Sequence, residues 1–131
     1  MSEKKTILLV DDEASVLLTL SMIFEGEGYV VTTAESGREA LEILLGSSFD
    51  AVVTDLNMER QDAGLEVAHA AVSKRPKPVV IICTGYATVH NSMASLNMGV
   101  DYMAHKPVDL HDLISALDRL VTLRDQKKWI W

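Results

Sequence analysis

Val79-Val80-Ile81-Ile82-Cys83 runs into Thr84-Gly85, and this stretch decides the fold because it is apolar at every position up to the threonine. A strand with one wet face alternates apolar and polar residues, whereas a strand covered on both faces is apolar throughout, as in a parallel sheet with helices above and below. Three further short runs flank it. Ile7-Leu8-Leu9-Val10 ends on Asp11-Asp12, Ala51-Val52-Val53-Thr54 ends on Asp55, and Met103-Ala104-His105 ends on Lys106-Pro107. Tyr29-Val30-Val31-Thr32-Thr33, bounded by Gly28, reads as one more strand.

Stretches of helical period separate the runs. Ala14 to about Glu27 carries a stripe of Val16, Leu17, Leu20, Ile23 and Phe24. Ser36 with Glu39 three residues on has capping-box spacing and opens a helix that Gly46 closes. A polar loop from Asp55 to Ala63 leads to a helix from Gly64 to about Lys74, stopped by Pro76 and Pro78. A weaker helix spans Thr88 to Met98 before a strand from Val100 to His105. Asp109 caps the last helix, whose stripe is Leu110, Leu113, Ile114, Leu117, Leu120 and Val121. Strand–helix alternation of this kind predicts an α/β, doubly wound, five-stranded parallel sheet with five helices and right-handed crossovers, flavodoxin-like in order 2-1-3-4-5.

The bulk properties bound the rest. A chain of 131 residues reads as one domain, 1–131, with its core at about 5–124 and residues 125–131 as a tail or the start of a connector. One cysteine, Cys83, excludes an internal disulfide and fits a reducing cytoplasm. No secretory segment and no stretch long enough to span a bilayer is expected. A net charge of −7 argues against direct binding of nucleic acid, because Lys74-Arg75-Pro76-Lys77 and Arg124 to Lys128 are short and read as solvated helix ends. His69, His90, His105 and His111 lack the spacing of zinc or iron ligands, and Cys83 reads as an inert core thiol.

In an open parallel sheet, ligands bind at the carboxyl ends of the strands, beside the switch point between strands one and three. Asp11, Asp12 and Asp55 meet there, and three converging carboxylates repel one another unless a cation neutralises them. Mg²⁺ suits such a set: it is hard, takes carboxylate oxygens, and shares its shell with phosphate. Asp55 can also act as a nucleophile towards phosphorus. Lys106 would offset charge on a transferred phosphoryl group, and Thr84 would donate a hydrogen bond to it.

The set Asp11-Asp12, Asp55, Thr84-Gly85 and Lys106-Pro107, in that order and at those separations, closely resembles the receiver domain of two-component response regulators over about residues 5–124. The resemblance implies that Asp55 accepts a phosphoryl group from a phosphohistidine on a sensor histidine kinase or phosphotransfer protein. It also implies that Asp12, Asp55 and the backbone carbonyl of Asn57 hold Mg²⁺, with Asp11 acting partly through water. The bond before Pro107 is expected to be cis. The output would be a changed surface for a downstream protein or a second copy, with no membrane and no direct nucleic-acid contact.

Three departures from the family pattern bear on the output. Met58 follows the pattern, but Glu59 stands where proline is usual, and Gly64 falls nine residues past Asp55 instead of eight, so the loop is expected to be longer and more flexible. Met103 occupies the position of the usual switching Tyr or Phe, and alternation aims Tyr102 at the opposite face. Tyr86 and Asn57 occupy positions that modulate hydrolysis of the acyl-phosphate; a ring lying flat on the surface is the other reading of Tyr86. Trp129 and Trp131 mark a contact or begin a connector. An aspartyl-phosphate phosphatase or phosphotransferase of haloacid-dehalogenase-like type is the alternative, although Asp11-Asp12-Glu13 lacks its Asp-x-Asp spacing.

Overall fold

A computed structural model describes residues 4–85 and 89–128. Its elements alternate as expected: β1 Thr6–Val10, α1 Ala14–Gly26, β2 Val30–Ala34, α2 Gly37–Gly46, β3 Ala51–Asp55, α3 Ala63–Val72, β4 Val79–Thr84, α4 Val89–Met98, β5 Tyr102–His105 and α5 Leu110–Lys128. All strand pairs are parallel and the sheet order is β2-β1-β3-β4-β5. Of the three inner strands, β3 and β4 are buried along their whole length and β1 at all but its first residue, while β2 and β5 at the edges are partly exposed. That gradient is why β3 and β4 lack alternation and the edges tolerate threonine and histidine.

Two cores lie on opposite faces of the sheet. Leu8, Val10, Val52, Val80 and Ile82 pack against α2 and α3 through Leu44, Val67, Ala68 and Ala71. Ile7, Leu9, Val53 and Ile81 pack against α1 and α5 through Leu17, Phe24, Leu113 and Leu117. Successive residues of one strand thus serve opposite layers.

Two strand starts differ from expectation for one shared reason. β2 begins at Val30, not Tyr29, and β5 at Tyr102, not Val100. Gly28 and Gly99 take the left-handed conformation at φ 98° and 104°. The next residue in each case then donates its N–H back into the preceding helix, Tyr29 to Phe24 O and Val100 to Ser95 O, both at 3.0 Å. This six-to-one closure satisfies helix carbonyls and takes the residue out of the following strand. Helix α3 stops at Val72, with the Arg75 guanidinium donating to the Val72 carbonyl at 2.9 Å.

The basic clusters are not simply solvated. Lys74 Nζ donates to Leu44 O at the end of α2, 2.6 Å away. Arg124 donates to Asp50 Oδ1 at 2.9 Å and to Lys77 O at 2.6 Å, with its side chain only 13% exposed. Lys5 meets Asp125 at 2.5 Å. The Arg124 and Asp125 contacts lock α5 against the amino ends of the strands, and the helix runs through Lys128 into the stretch read from sequence as tail or connector.

Candidate functional site

Register brings the site together. Val10 lies opposite Thr54, Asp55 opposite Cys83, and Thr84 opposite His105. Asp11, Asp55, Thr84 and Lys106 therefore emerge at one end of neighbouring strands. The Lys106–Pro107 bond is cis, as is Arg75–Pro76. Asp11 and Asp55 are buried while Asp12 is exposed, and one carboxylate oxygen from each lies within 4.8 Å of the others. Lys106 Nζ stands 3.1 Å from Asp55 Oδ1 and 3.6 Å from Asp11 Oδ2.

The supporting hydrogen bonds are local. Asp11 Oδ1 accepts the Glu13 N–H at 2.9 Å, and Asp55 Oδ1 accepts the Leu56 N–H at 3.0 Å. Thr84 is buried at the end of β4, and its carbonyl accepts the Lys106 N–H at 2.8 Å. Burial raises the Asp55 carboxyl above its ordinary value; the hydrogen bond and charge of Lys106 oppose this without cancelling it, and Asp11 adds to the rise. Lys106 shifts upward as well: desolvation, the largest single influence, lowers it, but the hydrogen bond and charge of Asp55 together with the charge of Asp11 outweigh it. The pair differs because the carboxylate lies deeper than the ammonium group. One cation against three carboxylates leaves negative charge uncompensated, and an all-oxygen donor set fits Mg²⁺.

A cleft of about 450 Å³ opens beside Asp55 and Lys106. Val16, Leu17 and Leu20 of α1 wall one side, and Val108, Leu110 and Leu113 the other. Cys83 also borders it, but burial pushes its thiol up to about 12, so it stays protonated.

The loop after β3 is held by contacts that the sequence did not announce. Asn57 Oδ1 accepts the Asp62 N–H at 2.6 Å, and Arg60 pairs with Glu66. The extra residue is absorbed by Asp62 in a left-handed conformation, φ 60°, which aspartate tolerates better than most residues. Glu59 accepts N–H bonds from Gly37 at 3.0 Å and Arg38 at 3.1 Å, at the start of α2. The Gly37 N–H, with that of Arg38 and the Arg60 charge, holds the Glu59 carboxyl below its usual range. A longer loop was expected to be slack; here it is tied to α2, α3 and itself.

Gly64, the second residue of α3, lies directly against the end of β3. A Cβ there would fall on the Asp55 carbonyl oxygen and lie 2.7 Å from Leu56 Cα. Its N–H instead donates to Leu56 O at 2.7 Å. The position of the usual switching ring holds no aromatic side chain: Met103 packs towards the α2–α3 core, with its Sδ accepting from Ser92 Oγ of α4 at 3.6 Å, while Tyr102 joins the opposite core. Tyr86, Trp129 and Trp131 lie outside the described residues.

A family model described as the response regulator receiver domain matches residues 7–118. The transcriptional regulatory protein GlrR of Escherichia coli is 37% identical over 119 residues, 90% of this chain and 27% of its own length. The photosynthetic apparatus regulatory protein RegA of Rhodobacter capsulatus is 30% identical over 117 residues, 89% of this chain and 63% of its own. The chain thus spans about a quarter of GlrR and under two thirds of RegA. A CheY-like response regulator receiver domain protein from Methanospirillum hungatei superimposes with a TM-score of 0.89 at 31% identity, covering 95% of this chain and 99% of that one.

Proposed function

Because this chain belongs to the response regulator receiver domain family, we propose that Asp55 is the phosphoacceptor of a Mg²⁺-assisted switch in two-component signalling. The observation that carries the proposal is the meeting of Asp11, Asp12 and Asp55 within 4.8 Å, with Lys106 Nζ 3.1 Å from Asp55. Asp12, Asp55 and the Asn57 carbonyl would hold the metal, with Asp11 assisting; when bound, it would neutralise charge on the phosphoryl oxygens.

The chain's own groups then act as follows. An Asp55 carboxylate oxygen attacks phosphorus of a phosphohistidine on a sensor kinase or phosphotransfer protein. The P–N bond breaks, and the imidazole leaves with its electron pair and takes up a proton. Lys106 and Thr84 donate to the phosphoryl oxygens, and the apolar cleft walls exclude water on one side. The added charge shifts an inactive–active equilibrium through Thr84, α4 and β5, with Met103 as the mobile side chain. Output passes to a downstream protein or a second copy, in the cytoplasm, without direct contact of this chain with nucleic acid. Among the described residues, no helix is long and apolar enough to cross a membrane.

The test is incubation with a small phosphoryl donor such as phosphoramidate, with and without Mg²⁺, followed by mass measurement. An acid-stable, hydroxylamine-sensitive adduct that needs Mg²⁺ and disappears in Asp55→Asn is the expected result. Continuous turnover of phosphate esters would instead support the phosphatase alternative, and no labelling would refute both.

A further inference from the structure

We propose that Glu59 is a positioning residue for the metal site: by gripping the amino end of α2 it fixes the loop that presents the Asn57 carbonyl. The inference rests on the reading of Asp55, Asp12 and Asn57 as the Mg²⁺ site, and adds a residue outside that ligand set.

The loop between β3 and α3 has firm ends and a long middle. At the front, Leu56 is fully buried and its N–H donates to both Asp55 Oδ1 and Cys83 O, each at 3.0 Å. At the back, Gly64 N–H closes on Leu56 O at 2.7 Å. Residues 57–63 bulge between these clamps, and their bonds to one another, Met58 N–H and Ala63 N–H to Arg60 O at 3.2 Å, fix the shape of the bulge but not its place. The Arg60–Glu66 ion pair is exposed, and such pairs hold little.

Glu59 supplies the link from the bulge to a different layer of the molecule. Its two carboxylate oxygens take the Gly37 and Arg38 N–H groups separately, at 3.0 and 3.1 Å. Charge-assisted pairs of this kind are stronger and more directional than neutral bonds, and the helix dipole favours an anion at that end. Ser36 already caps Glu39 N–H of the same helix at 3.0 Å, so Glu59 is not needed to start α2. The two carboxylate bonds therefore act chiefly on the loop, and Asn57 lies two residues from the grip. Residues that orient a metal ligand without touching the metal typically change affinity about 10- to 100-fold when removed.

The experiment measures Mg²⁺ affinity by titration calorimetry, and the Mg²⁺ dependence of labelling, in wild type, Glu59→Ala, Glu59→Gln and Ser36→Ala. Glu59→Ala is expected to weaken Mg²⁺ binding about tenfold, with the labelling rate at saturating Mg²⁺ nearly retained. Glu59→Gln, whose amide oxygen still accepts one N–H, is expected to fall between wild type and Glu59→Ala. Ser36→Ala is expected to lower the melting temperature and leave Mg²⁺ affinity unchanged, which separates positioning from helix stability. Unchanged affinity in Glu59→Ala overturns the inference, as does an equal loss in Glu59→Gln, which would mean charge alone, or an equal loss in Ser36→Ala. If wild type itself neither binds Mg²⁺ nor becomes labelled, the reading of the site falls as well.

Discussion

Asp50 and Asp55 bracket the same strand, and burial drives both carboxyls upward, yet they end on opposite sides of the ordinary value. At Asp50 the Thr6 N–H and the Arg124 guanidinium outweigh burial and hold the carboxyl low. At Asp55 burial wins against Lys106. One aspartate is fully compensated and structural; the other keeps an unmet demand for positive charge, which a metal cation can answer. For Asp50 the sign is clear: its folded value lies below the unfolded one, so its ionised form stabilises the fold above the ordinary carboxylate pKa and that stability is lost as pH falls through the folded value. Asp50→Asn is expected to cost roughly 2 kcal/mol at pH 7 in urea unfolding. The gap from wild type should narrow below about pH 4; a constant gap from pH 7 to 3 would sink the assignment. The sequence offered Asp55 through its place after an apolar run, but Asp50 and Arg124 are 74 positions apart and carry no local signal of their pairing.

The loop and helix that follow β3 show how an element accommodates a departure. A glycine at an exposed helical site usually gains about 1 kcal/mol on replacement by alanine. Gly64→Ala is expected to do the reverse and cost roughly 3 kcal/mol or more, because its Cβ would strike the Asp55 carbonyl and Leu56 backbone. Equilibrium unfolding checks it, and a stability equal to or above wild type would refute the close approach. Since the clash falls on Asp55 itself, labelling should fall together with stability. The shifted position of this glycine was legible in the sequence. How the extra residue is housed was not, since it depends on Asp62 turning left-handed and Glu59 reaching a helix that starts 22 positions earlier.

Across the molecule, uncompensated negative charge at the carboxyl end of the sheet should make stability respond to Mg²⁺. Binding to the folded state alone adds about 2.7 kcal/mol at 100 times the dissociation constant, which is a rise of several degrees in melting temperature for a domain of this size. Asp12→Asn is expected to abolish most of that rise; an undiminished rise in the variant would remove Asp12 from the metal site. The whole chain then divides cleanly by range. Its sequence alone determined the five strands and five helices, their order in the sheet, and the candidate chemistry at the strand ends, because period, capping and punctuation act within a few residues and right-handed crossovers leave few ways to close them. Only the tertiary structure decided how the basic residues near 75 and 124 pin the foot of the sheet, and that the longer loop is gripped by α2. Those outcomes depend on groups brought together across the fold, whose hydrogen bonds form only after the sheet has set the distances between them.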